Sequence, residues 1–158
     1  MTVVVNESRK KRARIATATH VAGCRMDLKV RDFAAMAADE PEIAGGTNEG
    51  PSPLEYVTAG LAACQLVTVT KIADAMGFAY ADLAVDAEAD VVFRAARGAM
   101  SPIPRFSEAR LLVRMRSPET AERIADLEAL VEERCPVSNL FLDAGLPPKV
   151  DWSIEPIA

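Results

Sequence analysis

The chain has 158 residues, a net charge of −5 and 50% hydrophobic residues, so its length fits one domain able to bury a core without metal or disulfides. The acidic balance argues against a nucleic-acid binder as a whole. The longest apolar run, Val57 to Leu66, already contains Thr58 and Gln65, short of the roughly 18 residues of a membrane span. The N-terminus runs from Val3-Val4-Val5 straight into basic residues, unlike a signal peptide, and a cytoplasmic location is expected.

Arg9, Lys10, Lys11, Arg12 and Arg14 form the one basic cluster. It reads as a solvated arm, flexible over residues 1–12, ahead of a single domain over 13–158. Ala13 to Val21 alternates as a half-buried strand should, with Ile15, Thr17, Thr19 and Val21 on one side. Met26, Leu28 and Val30 repeat that period, and a third short strand is expected from about Phe33 to Ala38. Residues 39–51 then carry Gly45, Gly46, Gly50, Pro41 and Pro51, a composition that breaks regular structure.

A strong helix start follows. Ser52 suits the N-cap, Pro53 the first helical position, and Glu55 completes a capping box. The helix is expected to run to Met76 and stop at Gly77, about 36 Å long at 1.5 Å per residue. With few charges it should be buried on most sides, and a second subunit would supply that cover.

Two long alternating stretches come next, one through Leu83 to Phe93 and one from Phe106 through Met115 after a break at Pro102 and Pro104. They read as antiparallel strands. Ser117-Pro118-Glu119 should open another helix, with Ile124, Leu127, Leu130 and Val131 at helical spacing. It must end near Cys135, because the residue before Pro136 is disfavoured in helical geometry. Pro136 opens a short helix to Gly145, and Val150, Trp152 and Ile154 close the chain as a strand. Strands in runs indicate an α+β fold.

Three cysteines, 40 and 71 residues apart, match no zinc pattern, and His20 is the lone histidine. No metal or cofactor is expected. Redox chemistry remains, since cytosolic disulfides tend to be transient and catalytic. Cys135 sits at the start of the Pro136 helix, where free N–H groups favour a thiolate. Cys64 lies in mid-helix and would need an external cation. Each could also be a small buried hydrophobe. Cys24 reads as a partly buried strand residue, and Lys71, seven residues after Cys64, as a solvated lysine.

The segment Gly45-Gly46-Thr47-Asn48-Glu49-Gly50-Pro51-Ser52-Pro53-Leu54-Glu55, leading to Ala59-Gly60-Leu61-Ala62-Ala63-Cys64, resembles the first signature of the OsmC/Ohr superfamily (osmotically inducible protein C and organic hydroperoxide resistance protein). Cys135-Pro136-Val137-Ser138-Asn139 resembles the second, and the resemblance covers about residues 25–155. It implies an intertwined homodimer with long central helices enclosed by antiparallel β-sheets. It also implies that Cys64 attacks an organic hydroperoxide and that Cys135 resolves the sulfenic acid as a disulfide. A dithiol reductant, in the Ohr branch a lipoylated protein, would regenerate the thiols.

The family sets an arginine against the reactive thiolate, held by a glutamate near the helix start. Arg25 is the first candidate by position and Arg31 the second. The Ohr pattern has its glutamate ten residues before the cysteine, where this chain has Leu54. Glu55, nine before, would act through an arginine or across the dimer, or is only the helix cap; Glu49 is held in reserve. The expected activity is therefore a cysteine-based hydroperoxide reductase of the OsmC-like branch, acting on no nucleic acid and no membrane. The alternative is a non-catalytic dimer of the same fold that binds a small apolar ligand.

Overall fold

The structure, a computed structural model, describes residues 13–94 and 103–157. The arm expected over 1–12 and the break at Pro102 lie outside them. The chain divides between Pro53 and Leu54 into two compact units.

The first unit holds β1 (Thr17–Ala22), β2 (Arg25–Lys29) and β3 (Met36–Ala38) in an antiparallel sheet of order β1-β2-β3. Gly23 takes the left-handed turn between β1 and β2. Contrary to the half-buried strand expected from the alternation, every residue of β1 is exposed. The third strand is also shorter than its expected Phe33 start, because Phe33 N–H closes a turn back to Val30 O.

The second unit takes in α1 (Pro53–Met76) from Leu54 onward, and the limits of this helix match those expected. Its C-terminus is closed by a Schellman motif. Gly77, at φ +59°, donates to Asp74 O at 3.1 Å, and Phe78 N–H reaches Ala73 O at 2.8 Å. The long ribbon β4 (Ala81–Arg94) and β5 (Ile103–Ser117) is antiparallel, with charged pairs such as Arg114–Asp86 at 2.7 Å across it. Helices α2 (Ala121–Arg134) and α3 (Pro136–Asp143) then lead to β6 (Lys149–Pro156).

Two expectations are corrected here. β6 pairs with β5 in parallel, so this sheet is mixed rather than antiparallel; α2 and α3 supply the long crossover that parallel neighbours need. The N-cap of α2 is Thr120, which accepts from Arg123 N–H, rather than Ser117. Ser117 ends β5 and donates its hydroxyl to Ala79 O at 2.7 Å instead.

Two apolar clusters form the core of this unit. One joins Val69, Ala73 and Phe78 to Val113, Met115, Leu127 and Val131. The other joins Leu61 to Ala109, Leu111 and Phe141. Each of the fully buried valines and leucines among them contributes about 1.5–3 kcal/mol. The expectation that α1 is buried on most sides does not hold within one chain: Leu61, Gln65, Thr68, Val69 and Ala73 form a single buried stripe, while Val67 is 47% exposed. By length and composition α1 is apolar enough to cross a membrane, which corrects the expectation that no stretch qualifies. Its buried stripe nonetheless packs into the two clusters as a core helix does.

Candidate active site

Cys135 is placed by the proline that follows it. Pro136 cannot continue α2, so Cys135 turns to extended geometry (φ −74°, ψ 111°) and caps two helices at once. Its N–H donates to Val131 O at 3.1 Å, and its carbonyl accepts from Asn139 N–H at 2.9 Å. The residue is fully buried.

Cys64 lies on α1 beside the buried stripe and is partly buried. The two thiols, 71 residues apart in the chain, lie near enough for Cys135 to influence the ionisation of Cys64, and the Val137 N–H in the first turn of α3 acts on the Cys64 sulfur. Burial pushes the Cys64 thiol up from its ordinary value; the Val137 N–H works against this, and the neighbouring Cys135 adds to the rise. The start of α3 thus serves Cys64. Cys135 makes no side-chain capping bond there, although the helix dipole had singled it out in the sequence. Thr68 donates its hydroxyl to Cys64 O at 2.8 Å. All three cysteines are free, with Cys24 at the β1–β2 turn of the first unit.

Beside the thiols runs a polar contact that neither motif marks. Ser138 donates its hydroxyl to Gln65 Oε1 at 3.3 Å, and both side chains are buried. Gln65 was visible as a polar interruption of an apolar run, and Ser138 lies inside the second motif.

In the first unit, Arg25 opens β2 and its Nε lies 2.7 Å from Glu49 Oε2, an ion pair without the alignment of a hydrogen bond. Asp27 is a weaker neighbour at 3.9 Å. Glu49, the reserve candidate, is therefore the carboxylate on Arg25. Its loop is organised by buried Asp39, which accepts from Thr47 Oγ1 at 2.7 Å, Thr47 N–H at 2.9 Å, Glu40 N–H at 2.8 Å and Glu49 N–H at 3.3 Å. The Thr47 hydroxyl is the main cause that holds the Asp39 carboxyl at about 2. Only glycine fits at 46, where a Cβ would stand 1.8 Å from Glu40 O. Arg31, at φ +50°, instead lies 4.5 Å over the Phe33 ring.

Glu55 stands in the first turn of α1, and Lys71 is exposed farther along it. The candidate residues therefore form two pairs, Arg25 with Glu49 in the first unit and Cys64 with Cys135 in the second. The second pair can do two-electron thiol–disulfide chemistry.

The family profile described as OsmC-like protein matches residues 46–151. No curated protein matches the chain in sequence. Among solved structures, the OsmC-like protein of Mycoplasma pneumoniae superposes with a TM-score of 0.73 at 20% identity, covering 94% of this chain and all of that one. An organic hydroperoxide resistance protein of Elizabethkingia anophelis gives 0.68 at 18% identity, over 94% of this chain and 99% of that one. One from Legionella pneumophila, described as OsmC, gives 0.64 at 19% identity, over 93% and 99%. At such identities the superpositions establish the α+β fold, while the profile covers two thirds of the sequence. The chain belongs to the OsmC-like protein family.

Proposed function

We propose that this protein reduces organic hydroperoxides with Cys64 as the attacking thiol and Cys135 as the resolving one. The observation that carries the reading is the juxtaposition of two free thiols, one on α1 and one at the junction of α2 and α3. The Cys64 thiolate attacks the outer oxygen of ROOH, the O–O bond breaks, and the alkoxide leaves as ROH after taking a proton. Cys135 then attacks the Cys64 sulfenic acid, forming the disulfide and releasing water. A dithiol of the lipoyl class exchanges with the disulfide and returns both thiols.

Because burial raises the Cys64 thiol, a cation is needed to populate its thiolate near neutral pH. Arg25, held by Glu49, is the residue assigned that task, with Glu55 as a supporting carboxylate. Relatives bearing the name organic hydroperoxide resistance protein favour the same substrate class.

The working form is read as a cytoplasmic homodimer. Val57, Gly60, Ala63 and Val67 follow helical spacing along the exposed side of α1, and a Cβ at Gly60 would meet nothing within 4 Å. A second copy is the natural cover for that seam, and small residues on it allow a close helix approach. Thiol loss followed with cumene hydroperoxide and with hydrogen peroxide tests the activity. Faster loss with the organic peroxide is expected; equal slow loss with both would leave the cysteines as packing residues.

A further inference from the structure

Gln65 is fully buried in the stripe of α1, between Leu61 of one apolar cluster and Val69 of the other. Its Oε1 accepts from Ser138, but its Nε2 has no hydrogen-bond partner among the described residues. A half-satisfied amide in an apolar core is a poor choice for stability, since a leucine of similar volume would bury no unpaired donor. What the amide does supply is register. Gln65 and Ser138 are neighbours in sequence of Cys64 and Val137, so their hydrogen bond ties the turn of α1 that bears Cys64 to the first turn of α3. Buried polar pairs can fix one arrangement where apolar packing alone would allow several.

We infer that Gln65 and Ser138 are positioning residues that hold the first turn of α3 on α1, keeping Cys135 within reach of Cys64 while the disulfide closes. The inference rests on the reading of Cys64 and Cys135 as a peroxide-reducing pair. The step it governs is attack of the Cys135 thiol on the Cys64 sulfenic acid, which forms the S–S bond and expels water. If α3 shifts, the sulfenic acid outlives the resolving thiol and takes a second oxygen from peroxide to become sulfinic.

The test uses full-length wild type, Gln65→Leu, Ser138→Ala and Ser138→Thr, which retains the hydroxyl. Intact-mass spectrometry after organic peroxide gives the ratio of disulfide (two hydrogens lost) to sulfinic acid (two oxygens gained). In parallel, diamide, an azo oxidant that takes two electrons and two protons from a thiol pair, closes the same disulfide without peroxide. Gln65→Leu and Ser138→Ala should close about tenfold more slowly and shift the peroxide product toward sulfinic acid, an effect larger than any slowing of the first oxidation of Cys64 by a displaced Val137 N–H. Ser138→Thr should behave as wild type, and the double variant Gln65→Leu/Ser138→Ala, which leaves neither partner unpaired, should close slowly yet melt no lower than wild type.

Unchanged closing, or slowing that merely follows a fall in melting temperature, would overturn the inference. Should wild type close with diamide but ignore organic peroxide, the peroxidase reading fails while the positioning roles are still decided by the closing rates. No closure in wild type by either oxidant would overturn both.

Discussion

Phe141 is the residue through which α3 is anchored, and its truncation should couple stability to redox chemistry. It is 6% exposed, packs with Leu61, Ala109 and Leu111, and meets the Phe106 ring edge-on with centroids 5.9 Å apart. Phe→Ala in such a site costs about 3–5 kcal/mol, of which the aromatic pair contributes about 0.5–1.5. At about 2–4 °C per kcal/mol for a chain of this size, Phe141→Ala should melt about 6–20 °C lower. Phe141→Leu keeps most of the volume and should lose less than about half of that.

Since Cys135 opens the helix that Phe141 anchors, the Ala variant should also accumulate overoxidised Cys64 below its melting temperature. Circular dichroism melts and intact mass after peroxide read the two effects. A melting shift under about 2 °C, or normal disulfide yield despite a large shift, would refute the idea that this contact holds the thiol pair together.

Asp39 predicts an acid limb. Its folded pKa of about 2 lies below the unfolded carboxylate value, so its contribution is complete above that value and is lost as pH falls from about 4 toward 2. The melting difference between wild type and Asp39→Asn should therefore shrink over that window; a constant difference would exclude the carboxylate's charge as its cause. Arg25→Ala should slow iodoacetamide alkylation of Cys64 at pH 7 about tenfold and move the pH midpoint upward, the effect of one pKa unit. An unchanged profile would remove Arg25 from the site. Gly60→Leu should leave a folded chain, because its Cβ meets open space, but weaken the dimer in sedimentation; an unaffected dimer would place the interface elsewhere.

The limits of α1 were legible because its ends are written in local chemistry: Ser52 and Pro53 at one, Gly77 at the other. Strand direction was not. Nothing in the alternation of Val150, Trp152 and Ile154 distinguishes a parallel neighbour from an antiparallel one, and the crossover through α2 and α3 decided it. Ser117 alone was read as the cap of α2, but its hydroxyl goes to Ala79 O, and Thr120, three residues on, caps the helix instead. Alternation predicted a half-buried β1, yet burial depends on what covers a strand and not only on its pattern.

At the site, the motifs singled out both cysteines, but not which of them the α3 amides serve. That depends on where α1 lies relative to Val137, a tertiary fact. Glu49 was held only in reserve, behind Glu55, because it lies in a stretch that reads as loop-forming. Its value comes from Asp39 and Gly46, whose fit appears only once the backbone is closed.

The roles of the two thiols are tested most directly by intact-mass spectrometry after one equivalent of organic hydroperoxide on wild type, Cys64→Ser and Cys135→Ser. Wild type should lose two hydrogens, Cys135→Ser should gain oxygen on Cys64, and Cys64→Ser should remain unmodified. Turnover that survives in Cys64→Ser and vanishes in Cys135→Ser would contradict the account by making Cys135 the attacking thiol.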